Sequence, residues 1–316
     1  MVWPGVGRWS PTLCHRMTTR RGYAPLLLII AMQVPAMASV RGDSLRAEIE
    51  RMIAPARGLV GVAVHVPETG DTLTINGDAR FPMQSVYKFP LALAVLRQVD
   101  QGTLSLSQEL QLSKEDLLPN TWSPLRERYP DGNVVVTLDE LLTYTVSLSD
   151  NNGCDILFRL VGGPAAVNEY VHGLGITDMA IVATEEEMHR GWEVQFQNWS
   201  SPAAMCRLLD AFYSGNILSQ RSREYLWSLM VQAATGSGRL KGRLPEGTVV
   251  AHKSGSSGTN DEGITAATND VGIIALPWGG HVILVVFVAD SAADKQTRDE
   301  VIADIARVVW DAYSHQ

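Results

Sequence analysis

The sequence predicts an α/β protein of the α+β type, with one antiparallel sheet, one lobe of helices and a cleft between them. Three observations lead there. Strand-like runs rich in valine and isoleucine lie near the start, at 59–66, and near the end, at 271–276 and 281–289. Helical patterns fill the stretch between them. The 316 residues are 46% hydrophobic, enough for a sizeable core. Terminal strands that share one sheet make 39–81 and 234–316 one lobe of a single domain, 39–316, and leave 82–233 as the other. A cleft between lobes is the natural place for a site.

The first 38 residues read as a leader outside that fold. Arg20 and Arg21 precede an apolar run at 24–34, and Ala36-Met37-Ala38 offers a small-x-small cleavage site before Ser39. Pro25, Gln33 and Pro35 leave the run too short and too broken to span a bilayer. Residues 1–16 are unusual for a leader, so Met17 is an alternative start. The Sec route is the first expectation, and Thr19-Arg20-Arg21-Gly22-Tyr23 keeps the twin-arginine route open. The remainder carries 22 basic and 34 acidic residues, a poor balance for general binding to nucleic acid or an anionic membrane. An exported, periplasmic protein follows, with no membrane association once the leader is cut. Its cysteines, Cys154 and Cys206, can form one disulfide or remain buried thiols.

After the leader, 43–53 reads as a helix, 59–66 as a strand, 67–70 as a turn and 72–75 as a second strand. A helix starts near Ser85, buries Leu91, Leu93, Val95 and Leu96, and ends near Gly102. Further helices fall at 138–146, 152–160, after Pro164, 201–213 and 220–233. The polar, aromatic stretch 184–198 has no clear period. Residues 248–252 form a strand, a turn at 277–280 joins the last two strands, and 296–313 closes the chain as a helix.

Four motifs carry chemistry. Ser85-Val86-Tyr87-Lys88 places a hydroxyl and an amine on one helical face, where the amine can draw the proton if it spends time neutral. Alone, Ser-x-x-Lys is common in helices. Ser149-Asp150-Asn151 sits between two helices: Ser149 can relay a proton, Asn151 can hold a substrate amide and steady Lys88, and Asp150 suits bracing the loop. Alone it is an ordinary helix cap. Lys253-Ser254-Gly255-Ser256 directly follows a strand. It offers a positive charge, two hydroxyls for a carboxylate and a glycine against which a substrate backbone can lie. The Ser85 and Ser256 amides can form an oxyanion hole. In Glu185-Glu186-Glu187-Met188-His189, one carboxylate can activate water, though composition does not single out which. No Cys/His cluster suggests a metal and no glycine-rich loop suggests a nucleotide, so no cofactor is expected. His65 and His281 lie in strands and read as structural.

Taken in order, Ser-x-x-Lys, Ser-Asp-Asn and Lys-Ser-Gly make the chain resemble the class A serine β-lactamases over 43–314. It is most similar to the PER-type extended-spectrum subgroup, through Phe81-Pro82-Met83-Gln84-Ser85, Gln98-Val99-Asp100-Gln101-Gly102, Asn120-Thr121-Trp122, Gln197-Asn198-Trp199 and Ala266-Ala267-Thr268-Asn269-Asp270. The resemblance implies the serine β-lactamase/transpeptidase-like fold. It implies hydrolysis of penicillins and cephalosporins, oxyimino-cephalosporins included, through a serine acyl-enzyme. Ser85 would be the nucleophile, Lys88 a proton acceptor and Ser149 a proton shuttle. Glu185, 36 residues after Ser149, stands at the family spacing for the deacylation glutamate. Lys253, Ser254 and Ser256 would bind the substrate carboxylate, with Arg239 supplying a guanidinium nearby, and Trp122 would form an aromatic wall.

The departures from the family pattern are as informative. His189 stands where most members have an asparagine that helps hold the hydrolytic water. The Arg–Asp pair that usually clamps this loop is replaced by Ala183 and Asn198. A rearranged loop and a wider cleft are therefore expected. Ser254 replaces the threonine usual in the subgroup, for which a modest rate effect is expected. Gln84 and Ser257 occupy the positions that form a disulfide in common class A carbapenemases, which argues against that route to carbapenem hydrolysis. The resemblance further implies a monomer sensitive to mechanism-based inhibitors such as clavulanate. The alternatives are a penicillin-binding protein or D-alanyl-D-alanine peptidase, or a β-lactam sensor, each of which acylates without fast turnover. Glu185 is the residue that discriminates.

Overall fold

The structure is a computed structural model that describes residues 34–215 and 217–315. Most of the leader, including Met17, the paired arginines and the apolar run, lies outside them. The first helix, α1 (Val34–Met52), starts earlier than expected and takes in residues 34–38. Valine, alanine and methionine there allow helix, and Pro35 is tolerated in a first turn.

Strands β1 (Leu59–Val66) and β2 (Asp71–Ile75) form a hairpin. A two-residue strand β3 (Phe81–Pro82) leads into a 3-10 turn, Gln84–Tyr87, and then α2 (Lys88–Asp100). The chain continues through β4 (Glu109–Leu112), α3 (Pro124–Arg128) and β5 (Val134–Thr137), where β4 and β5 pair as a hairpin. Next come α4 (Leu138–Ser147), α5 (Asn151–Val161), α6 (Pro164–Gly173), β6 (Met179–Ala180) and a single helical turn, α7 (Glu185–Met188). A 3-10 segment, Trp192–Gln197, precedes β7 (Trp199–Ser200), α8 (Pro202–Tyr213) and α9 (Gln220–Val231). Strands β8 (Val250–Ser256), β9 (Thr265–Ala275) and β10 (His281–Ser291) precede the closing α10 (Lys295–Tyr313).

The main sheet is antiparallel with order β2-β1-β10-β9-β8, so the two ends of the chain share it. Alternation sorts its residues by face. Val60, Val62 and Val64 pack with Ile49 of α1 and Ile302, Ile305 and Val309 of α10. Ala63, Ile273, Val285 and Phe287 pack toward the helical segments, in one core with Leu91, Val95 and Phe212. Gly61 belongs to this second face, where a Cβ would lie 2.4 Å from the Phe81 ring.

Caps explain several boundaries. Thr137 accepts from the Glu140 amide to start α4. Asp150 caps α5, which ends at left-handed Gly162, φ 99°. One expectation is corrected. Lys253 to Ser256 do not follow a strand but lie within β8, paired with 268–271 of β9. Burial of this ladder overrides the weak strand preference of glycine and serine. Of the two alternatives open for the cysteines, the structure has Cys154 and Cys206 as buried free thiols.

Candidate active site

The 3-10 turn places Ser85 at the start of α2 and Lys88 one turn later. Gln84, just before the serine, is left-handed at φ 50°. The turn packs tightly on β8, where a Cβ on Gly255 would lie 2.5 Å from the Met83 carbonyl. This glycine therefore makes room for the turn that carries Ser85. Ser149, also left-handed at φ 60°, is held between α4 and α5. Asp150 fixes that junction by accepting from the Leu125 amide at 2.7 Å, the Gly153 amide at 2.8 Å and the Ser123 hydroxyl at 2.9 Å.

These elements converge on two buried lysines. Lys88 Nζ donates to Ser85 Oγ at 3.0 Å, to the Ser149 carbonyl at 2.9 Å and to Asn151 Oδ1 at 2.5 Å. Glu185 Oε1 lies 3.0 Å from the same nitrogen. Four oxygens thus compete for one amine, one more than an ammonium can serve with a proton each. That crowding suits an amine that exchanges protons between a hydroxyl and a carboxylate. Asn151 is oriented by its own Nδ2, which donates to Thr121 Oγ1 at 2.7 Å.

Lys253 Nζ donates to Ser149 Oγ at 2.9 Å and to the Ser254 carbonyl at 3.1 Å. Burial first, then the charge of Lys88, pulls the Lys253 ammonium down to about 7. Ser254 Oγ and Thr235 Oγ1 are 2.8 Å apart. Arg239 is buried beneath the cleft and does not line it. Its Nη2 donates to Ser256 Oγ at 2.7 Å, and its Nε pairs with Asp299 at 2.7 Å. In this geometry the guanidinium acts on the cleft through Ser256.

The cleft holds about 740 Å³ and is bordered by Ser85, Ser149, Asn151, Glu185, Ser254 and Ser256. Trp122 and His189 also face it. Trp122 is 56% exposed, yet its indole is anchored by donation to the Leu148 carbonyl at 2.9 Å.

The chain matches the model of the Beta-lactamase enzyme family over residues 44–313. It is 45% identical to β-lactamase VEB-1 of Pseudomonas aeruginosa over 290 residues, 91% of this chain and 96% of the relative. The chain belongs to the class A β-lactamases.

Extended-spectrum β-lactamase PER-1 of the same organism is likewise 45% identical, over 86% of this chain and 88% of its own length. The similarity to PER-type enzymes is thus matched by VEB-1. Among solved structures, a β-lactamase of Chitinophaga pinensis is 54% identical with a TM-score of 0.84, covering 85% of this chain and 99% of that one. The TLA-1 extended-spectrum β-lactamase is 51% identical with a TM-score of 0.85, covering 86% and 99%.

The β-lactamase holds its 184–198 loop by polar bonds the sequence did not reveal. Asn198 Oδ1 accepts from the Val182 amide at 2.7 Å and the Ala183 amide at 2.9 Å, while Nδ2 donates to the Ala183 carbonyl at 2.8 Å. One buried amide side chain therefore ties the two positions where an ion-pair clamp was missing. Asp155 accepts from the Glu185 and Glu186 amides, both at 2.8 Å, which fixes the start of α7. Burial lifts Asp155 to about 6, against the opposing pull of those two bonds. His189 Nδ1 lies 2.7 Å from the Glu185 carbonyl. A carbonyl only accepts, so Nδ1 carries the proton. Gln84 Nε2 donates to Gln195 Oε1 at 2.7 Å and links the turn that carries Ser85 to the loop. Asp155, Gln195 and Thr235 escaped the sequence reading because each is an unremarkable polar residue until folding supplies its partner, and Asn198 was read only as a replaced clamp position.

Proposed function

We propose that this β-lactamase hydrolyses penicillins and cephalosporins, oxyimino-cephalosporins included, through an acyl-enzyme on Ser85. Ser85 Oγ attacks the lactam carbonyl as its proton passes to Lys88, made neutral by first handing a proton to Glu185, and the new ester C–O bond replaces the ring C–N bond. The freed nitrogen takes that proton from Lys88 through Ser149, whose hydroxyl is bonded to Lys253, and Glu185 returns its own proton to Lys88. The Ser85 and Ser256 amides serve as oxyanion donors, each worth about 3 kcal/mol in such sites. Ser254 and Ser256, backed by Lys253 and Arg239, hold the ring carboxylate. Asn151 receives the acylamino group. Glu185 then takes a proton from water, which attacks the ester, releases the opened product and returns the proton to Ser85.

The observation that carries this reading is the position of Lys88 Nζ, 3.0 Å from both Ser85 Oγ and Glu185 Oε1. One amine thereby connects the group that is acylated with the group that removes the acyl. The breadth toward oxyimino substrates is supported by the relatives titled extended-spectrum enzymes. Steady-state hydrolysis of benzylpenicillin, cefotaxime and ceftazidime tests it. Turnover of all three is expected, with clavulanate inhibiting. Turnover of benzylpenicillin alone would remove the extended spectrum and keep the mechanism.

We also propose that the protein acts as a monomer exported to the periplasm, in keeping with the leader read in the sequence. No helix among the described residues is long and apolar enough to cross a membrane. Subcellular fractionation of an expressing cell, with and without residues 1–38, tests the location.

A further inference from the structure

We infer that the protein has a second small-molecule site, which takes an aromatic carboxylate. It is a cavity of about 390 Å³ and shares no bordering residue with the cleft that holds Ser85. Phe212 and Tyr213 at the end of α8, Arg223, Glu224 and Trp227 on α9, and His281 at the start of β10 border it. Such a volume suits one small molecule of about two fused rings.

Its aromatic walls are braced against one another. The His281 ring lies 4.9 Å from that of Tyr213, centroid to centroid, and meets Trp227 edge to face at 5.7 Å and 84°. Tyr213 donates its one hydroxyl proton to Glu68 Oε1 at 2.7 Å. His281 Nδ1, 2.7 Å from the same hydroxyl oxygen, is therefore the donor of that second bond. Trp227 is only half-buried, so ring surface remains open to the cavity. Rigid aromatic faces suit a flat ligand group.

The charges around the cavity decide which flat group. Glu68 is occupied, since its Oε2 also accepts from the His281 amide at 3.2 Å. Glu224 accepts from Gln220 Nε2 at 2.8 Å. Arg223 is half-buried and makes no hydrogen bond or ion pair among the described residues. Left-handed Gly215 leaves room for it, because a Cβ there would overlap Arg223 Nη1. The group still lacking a partner is thus a guanidinium, whose forked donors match the two oxygens of a carboxylate. An aromatic carboxylate satisfies that fork and lays its ring against Trp227.

The test is calorimetric titration of the protein with 2-naphthoate, with neutral 2-naphthamide and cationic 2-naphthylmethylammonium in parallel. Arg223→Gln and Trp227→Leu are titrated in the same way, with thermal melts as a check on folding. Wild type is expected to bind 2-naphthoate about tenfold more tightly than the amide, and the ammonium more weakly still. Arg223→Gln should lose about that factor for 2-naphthoate and leave the amide unchanged, while Trp227→Leu should weaken both. No binding of 2-naphthoate to wild type overturns the inference. So does an amide or ammonium that binds as tightly as the acid. Arg223→Gln that binds 2-naphthoate as wild type does also overturns it, since the probe would then sit elsewhere, the Ser85 cleft included. If one variant fails to fold, the other decides, together with the preference of wild type for acid over amide.

Discussion

Lys253 shows how one side chain's surroundings set its chemistry. Its amine is wholly buried and bonded to Ser149 Oγ, and burial together with the charge of Lys88 brings its pKa down to about 7. The charged form exists below that value and is lost above it. If that charge holds the substrate carboxylate, as proposed, kcat/KM should fall on the alkaline side with a midpoint near the free-enzyme value of about 7. Lys253→Arg should move that limb upward, since a guanidinium keeps its proton. A profile that stays flat into the alkaline range would contradict this account. Ser85, Lys88, Ser149 and Lys253 were legible in the sequence because three motifs, the first two of them common alone, occur in one order and together carry the family resemblance. Asp155 was not, since an acid within a helix has many ordinary uses until two loop amides are found on it.

At the scale of elements, the 184–198 loop is the part least like its surroundings. It has one helical turn, one 3-10 segment and few apolar anchors, so its shape depends on side-chain bonds to backbone. Asn198 supplies three of them. Asn198→Ala would strand two amides and a carbonyl, at a cost of about 2–4 kcal/mol. The expected outcome is a melting temperature lower by several degrees and slower turnover, with Asn198→Asp intermediate because it keeps the acceptor and loses the donor. An unchanged melt and unchanged turnover would show that the loop is held elsewhere. The same physics explains what the sequence concealed. Period-based reading finds elements that pack an apolar face, such as β1, α2 and α10. It passes over β3, β6 and β7, at two residues each, and the β4–β5 hairpin, whose short strands alternate weakly. It also stopped β8 too early, because Lys253, Ser254, Gly255 and Ser256 are poor strand formers held in register by β9.

For the whole molecule, the decisive feature is that the site belongs to no single segment. Ser85 and Lys88 come from the turn and helix after β3, Ser149 from the α4–α5 junction, Glu185 from the loop turn and Lys253 from the sheet. Pairing of β1 with β10 joins the two ends of the chain in one sheet, and the core on its inner face seats the helices that carry the rest. Like charges then come to lie close together in a buried space, with Glu185 beside Lys88 as the counter-charge. The account makes that carboxylate the group that frees the enzyme after acylation. The most direct test is the intact mass of the protein during and after incubation with excess cefotaxime, with Glu185→Ala in parallel. Wild type should return unmodified with product formed, while the variant holds the acyl adduct, its release slowed by about a thousandfold. A wild-type adduct that persists, or a variant that clears its adduct as fast as wild type, would contradict the account.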